Sequence, residues 1–88
     1  METTARRIES TLRDAFSPAE LRVEDESHLH AGHAGAREGG HYRVFIVSEA
    51  FAGVGLVERH RKVYAALGGE FRGAVHALAI TARAPGER

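Results

Sequence analysis

Residues 41–48 read "HYRVFIVS", and this run decides the fold. Its centre, Val44-Phe45-Ile46-Val47, is apolar at four consecutive positions, so both faces of the strand are apolar. A strand of that kind belongs in the middle of a sheet rather than at its rim. On its N-terminal side, residues 27–40 carry Gly32, Gly35, Gly39 and Gly40 and show no period. We expect a long, mobile loop there, since unstructured connections beyond about 12 residues are uncommon and are usually functional or mobile. Further upstream, "LRVEDES" (residues 21–27) alternates, with Leu21 and Val23 on one side and Arg22 and Glu24 on the other, as a half-exposed strand does. At the start, "TARRIESTLRDAF" (residues 4–16) places Ala5, Ile8, Leu12, Ala15 and Phe16 on one helical stripe. Thr3 or Thr4 caps that helix, and Ser17-Pro18 ends it.

On the C-terminal side, "EAFAGVG" (residues 49–55) is a turn region and "LVERHRKVYAAL" (residues 56–67) a second helix. At about 100° per residue, Leu56, Val57, His60, Val63, Tyr64 and Leu67 share a face, which is expected to point inward. Gly68-Gly69 stops the helix. "VHALAITAR" (residues 75–83) closes the chain as a third strand, with a flexible tail expected over residues 84–88. The order is helix, strand, strand, helix, strand. It gives an α+β domain spanning residues 1–88, αββαβ, with helices packed on a three-stranded mixed sheet. The first two strands pair antiparallel across the loop, and the second and third pair parallel through a right-handed helical crossover.

The topology has a chemical consequence. The loop ends where the second strand begins, and the third strand, if parallel beside it, begins at the same end of the sheet. His76 is the second residue of that third strand. The loop histidines, His28, His30 and His33, are therefore expected at the same sheet end as His76.

The 88 residues carry 12 bases and 12 acids. Residues 1–40 hold eight acids and five bases (−3), and residues 41–88 hold four acids and seven bases (+3). A dedicated nucleic-acid binder is usually basic overall, so this chain offers at most a basic face. There is no cysteine, which excludes disulfides and any self-sufficient thiolate metal site. With no long apolar stretch and no signal-like start, the expectation is a soluble, cytoplasmic protein that does not enter a membrane.

Neutral imidazoles bind zinc, copper, iron or nickel. The spacings His28-x-His30 and His30-x-x-His33 match no named zinc signature, and a solvated loop is the bland alternative. Two histidines are too few for a closed tetrahedral site. They can supply half of one, with a partner supplying two thiolates, and His₂Cys₂ ligation of a [2Fe–2S] cluster is known chemistry. The basic candidate is "ERHRK". Arg59 and Lys62 lie on one flank of the helix and Arg61 on the other, while His60 falls within the apolar stripe as a packed residue. "GHAG" (residues 32–35) matches the GxxG of KH domains but sits between strands instead of helices. Asp25, Ser27 and His28 are too close in sequence to converge as a catalytic triad, so we expect no enzyme.

Taken together, "DESHLHAGHAG" (25–35), "HYRVFIVS", Phe51-x-Gly53, "RHRKVY" (59–64) and "VHALAITARAP" (75–85) resemble the BolA family, in that family's order from Leu21 onward. The resemblance implies a fold similar to class II KH domains. It implies a monothiol glutaredoxin of CGFS type as partner, and a bridging [2Fe–2S] cluster shared with that glutaredoxin and glutathione, with no cofactor in the isolated protein. It implies His76 as one metal ligand and His30 as the second, with His28 and His33 as substitutes. The family also implies an alternative role in transcriptional regulation of stress response and cell shape, with Arg59, Arg61 and Lys62 as nucleic-acid contacts. One departure stands out. Where the family often has Glu-Thr-His-Phe, this chain has Gly39-Gly40-His41-Tyr42, and the loss of two side chains is expected to loosen the loop end.

Overall fold

The computed structural model describes residues 3–27, 40–71 and 73–87, with the side chains of Glu70 and His76 outside the description. Helix α1 (Thr4–Phe16) starts where the Thr3 hydroxyl accepts from the Arg6 amide, and ends at Ser17, whose left-handed backbone (φ 43°) lets its N–H reach the Arg13 carbonyl. Strands β1 (Glu20–Asp25), β2 (Gly40–Val47) and β3 (Val75–Arg83) form one sheet in the order β1-β2-β3. β1 and β2 are antiparallel, and β2 and β3 are parallel through helix α2 (Leu56–Leu67). The expected α+β, αββαβ architecture is therefore present, with the "HYRVFIVS" strand in the centre.

The core lies between the helices and one face of the sheet. Ile8 and Leu12 of α1, Val63 and Leu67 of α2, and Tyr42, Val44 and Ile46 of β2 are buried together with Phe51 and Phe71. Burying side chains of this size removes roughly 1.5–3 kcal/mol of unfavourable hydration each. Ser48 joins the layers: its hydroxyl donates to the Phe16 carbonyl at 2.7 Å and accepts from the Ala50 amide at 3.1 Å. The other face of β2 is only half-covered. Phe45 lies there under the Arg22 guanidinium, 5.0 Å from the ring centroid. An apolar run on both faces thus marked the central strand, although protein covers only one side of it.

One expectation holds only in part: of the stripe expected to point inward on α2, Val63 and Leu67 are buried. Helix α2 is turned about one residue from the face that hydropathy selects. Its buried positions are Arg59, Val63 and Leu67, while Leu56, Val57, His60 and Tyr64 face solvent. Arg59 takes an inward position because every part of its guanidinium finds an acceptor, as described below, whereas His60 is exposed rather than packed. Of the expected tail, residues 84–87 are described. Ala84 is buried, Gly86 (φ 86°) makes a turn, and Glu87 is tied back to α2.

Candidate functional site

One end of the sheet gathers the termini that matter. β1 ends there, with Asp25 opposite Tyr42, and the Glu26 amide donates to the His41 carbonyl at 2.7 Å. Beyond it the Ser27 amide donates to Asp25 Oδ1 at 2.9 Å, and the Ser27 hydroxyl accepts from the His41 amide at 3.0 Å. Ser27 and Gly40, the residues flanking segment 28–39, are thus held side by side. Arg43 Nε donates to Glu26 Oε2 at 3.1 Å, which raises the guanidinium pKa further and braces the same corner.

β3 begins at this same end. Gly40 pairs with Val75, and the Gly40 amide donates to the Ala74 carbonyl at 2.9 Å. The parallel register then jumps: the next pair is His41 with Ala77, so His76 is the residue passed over. A bulge of this kind bends a strand and breaks its strict alternation, and bulges cluster where proteins re-aim side chains near functional sites. Strict alternation along 75–83 would put His76 on one face with Leu78 and Ile80, and the register shift interrupts it at His76 itself. His28, His30 and His33 lie outside the described residues, as does the loop expected over 27–40 apart from its two end residues. Among the described residues no group of three or more histidines or carboxylates is assembled to hold a metal.

At Gly40, where the family pattern carries a side chain, no empty space is left. A Cβ placed there would lie 2.5 Å from Tyr42 Cε2 and 2.7 Å from both Ser27 Oγ and Tyr42 Oη. The tyrosine ring and the serine hydroxyl occupy the space that a side chain at position 40 would need. Beside the start of β3, a groove of about 250 Å³ is lined by Tyr64, Leu67, Phe71, Val75 and Leu78. Tyr64 donates its hydroxyl to the Leu78 carbonyl at 3.3 Å on the outer side of β3.

The basic set divides. Arg61 and Lys62 are exposed, and Arg61 donates to Glu58 at 2.7 Å. Arg59 is 6% exposed and is engaged throughout. Its Nε donates to the Val54 carbonyl at 2.7 Å and its Nη1 to the Ala82 carbonyl at 3.0 Å. Nη1 and Nη2 also grip the two Glu87 oxygens at 2.6 and 2.8 Å. That grip, with the Ala84 amide, holds the Glu87 carboxyl down at about 2. Arg59, expected as a nucleic-acid contact, is therefore a structural clamp joining the α2 approach, β3 and the C-terminal turn. Sequence reading missed the packing roles of Ser27, Gly40 and Glu87 and the burial of Arg59. The one available signal was the i, i+4, i+8 spacing of Arg59 with Val63 and Leu67.

Comparison with known proteins agrees with this architecture. The model of the family described as "BolA-like protein" matches residues 12–87. The chain is 44% identical to SufE-like protein 1, chloroplastic/mitochondrial, of Arabidopsis thaliana over 92% of this chain, but it spans only 24% of that protein. It is 45% identical to the DNA-binding transcriptional regulator BolA of Escherichia coli, covering 84% of this chain and 69% of the relative. Among solved structures, the BolA domain of SufE1 from Arabidopsis thaliana superposes with a TM-score of 0.85 at 43% identity, covering 100% of this chain and 99% of that one. Among the described residues no helix is long and apolar enough to cross a membrane. With a family model matched over most of its length and the two-helix, mixed-sheet architecture in place, the chain belongs to the BolA-like family.

Proposed function

We propose that the protein is a small adaptor, acting in iron–sulfur trafficking, that docks on a CGFS-type monothiol glutaredoxin and co-ligates a [2Fe–2S] cluster as cargo. His76 and His30 are its ligands, and His28 and His33 are the substitutes for His30. The observation that supports this reading is the shared sheet end: Ser27 and Gly40, which flank the histidine segment, meet the start of β3 where the bulge falls on His76. The donor set fits half a shared site: it offers imidazoles and no thiolate, so glutaredoxin and glutathione must provide the sulfur ligands. Imidazole ligation raises the potential of such a cluster relative to all-thiolate ligation. This chain's part is to bring two neutral imidazoles to one place and to hold the strand ends that carry them.

The test is reconstitution with a CGFS glutaredoxin, glutathione, iron and sulfide. The wild-type mixture is expected to give a visible circular dichroism distinct from that of glutaredoxin alone. His76→Ala is expected to cut heterocomplex yield by about tenfold or more, since even outer partners of metal ligands are worth ~10–100-fold. Single alanine replacements of His28, His30 and His33 then identify the second ligand. A spectrum unchanged by His76→Ala sinks the assignment.

A second reading is favoured by the exposure of Arg61 and Lys62 and by the Escherichia coli relative named as a DNA-binding regulator. With Arg59 withdrawn, the surface is small. Duplex binding, if it occurs, is expected to lose about one unit of salt slope when Lys62 is neutralised. Absence of binding at low salt removes this reading.

A further inference from the structure

The Arg59 guanidinium is held by groups other than Glu87. Bonds to the Val54 and Ala82 carbonyls, on two different segments, fix its plane. What remains is one edge, Nη1 and Nη2, directed at the Glu87 carboxylate. The Ala84 amide donates to the same Glu87 Oε1 at 3.1 Å, so three donors converge on one anionic group. The arginine side chain is 7% exposed and the glutamate side chain 39%. The anion is therefore the member that can leave to water, and the cation is the fixed wall of a cradle. Arg83 adds positive charge at the same carboxylate.

We propose that this cradle is an oxyanion-binding site for a phosphoryl group, and that Glu87 is its built-in occupant, displaced when the C-terminal turn opens. A carboxylate gives one oxygen to both Nη1 and the Ala84 amide. A tetrahedral phosphoryl group offers each of the three donors its own oxygen, and the bidentate guanidinium suits it. The proposal rests on no part of the adaptor reading, because neither His76 nor the histidine segment enters it.

The probe is inorganic phosphate at matched ionic strength against chloride, read by thermal unfolding. Wild type is expected not to respond, because its cradle is full. Glu87→Ala is expected to gain about 5 °C in 10 mM phosphate, as a site of about millimolar affinity does. The double variant Arg59→Met/Glu87→Ala is expected to lose that gain. If Glu87→Ala does not fold, Glu87→Asp, one methylene short of the fork, carries the same comparison. Titration of the Ala84 amide resonance reports binding independently of stability. A Glu87 variant that responds no more than wild type overturns the proposal, as does a gain that survives removal of Arg59. A short duplex distinguishes the sources of the group. Tighter duplex binding by Glu87→Ala assigns the site to phosphodiesters, and a response to phosphate without it assigns the site to free phosphate or monoesters.

Discussion

Replacing Arg59 by alanine is expected to lower the thermal midpoint by about 10 °C or more, whereas Arg61→Ala and Lys62→Ala move it by about 2 °C or less. The three residues look alike in the sequence and differ only in what surrounds them. Arg61 and Lys62 are exposed, so their charges are already solvated. Arg59 supplies donors to the Val54 and Ala82 carbonyls and to both Glu87 oxygens, and its removal disconnects three segments at once. Lysine does not rescue it. An ammonium group lacks the planar fork that serves two carbonyls and a bidentate carboxylate together. Any loss of duplex binding in an Arg59 variant must therefore be corrected for loss of fold before it is read as a lost phosphate contact.

The same clamp sets an acid limit. The Glu87 carboxyl is lowered from 4.5 to about 2, first by its hydrogen bond to Arg59 and then by the Ala84 amide. A depressed carboxyl favours the fold above its unfolded value and ceases to do so as protons bind the folded state. The Glu87 contribution is therefore complete above about pH 4.5 and is lost as the pH falls toward 2. Urea titrations of wild type and Glu87→Gln are expected to differ by a constant amount near neutrality and to converge at the acid end. A gap that persists at pH 2 places the stabilisation elsewhere.

What the sequence showed, and what it hid, follows from the range of the interactions. Helix α1 spans residues 4–16 as its apolar stripe and Ser17-Pro18 indicate, because stripe, cap and stop are all local. The parallel crossover follows from chain order alone, and with it the meeting of the loop ends and β3. The inward face of α2 was hidden. Hydropathy scores Arg59 as polar and Leu56, Val57 and Tyr64 as apolar. Burial of Arg59 depends on acceptors 5, 23 and 28 residues away, and no local window contains the last two. Pro85-Gly86 reads as a tail for the same reason, since the partner that holds it lies on α2. The bulge at His76 is equally silent: no glycine marks it, and it exists only as a mismatch between two strands. Hence the fold was legible and the existence of a histidine site was suggested, but the clasp around that site was not.

Gly40 is the residue where that clasp is tested most directly. Gly40→Thr is expected to destabilise the protein by about 2–3 kcal/mol, the cost of forcing a side chain into filled space. A flexible side-chain end would yield, but Tyr42 is 7% exposed and belongs to the core, and the Ser27 hydroxyl is engaged by the His41 amide. The tyrosine hydroxyl, at 2.7 Å from the added Cβ, accounts for part of the conflict, and ring atom Cε2, at 2.5 Å, and the Ser27 hydroxyl, at 2.7 Å, for the rest. Tyr42→Phe is therefore expected to recover part of the loss in the threonine background, with a coupling of about 1 kcal/mol in a double-mutant cycle read by urea unfolding. Equal costs of Gly40→Thr with tyrosine and with phenylalanine at position 42 would show that the hydroxyl is not what fills the site. The expected coupling gives the departure from the family's Glu-Thr-His-Phe pattern a physical meaning. Thr-His-Phe and Gly-His-Tyr become two ways of filling one volume, with the hydroxyl carried by residue 40 in the first and by residue 42 in the second. The strand end opposite β3 is then as firmly packed with glycine as with threonine, and the segment bearing His30 leaves from a fixed point.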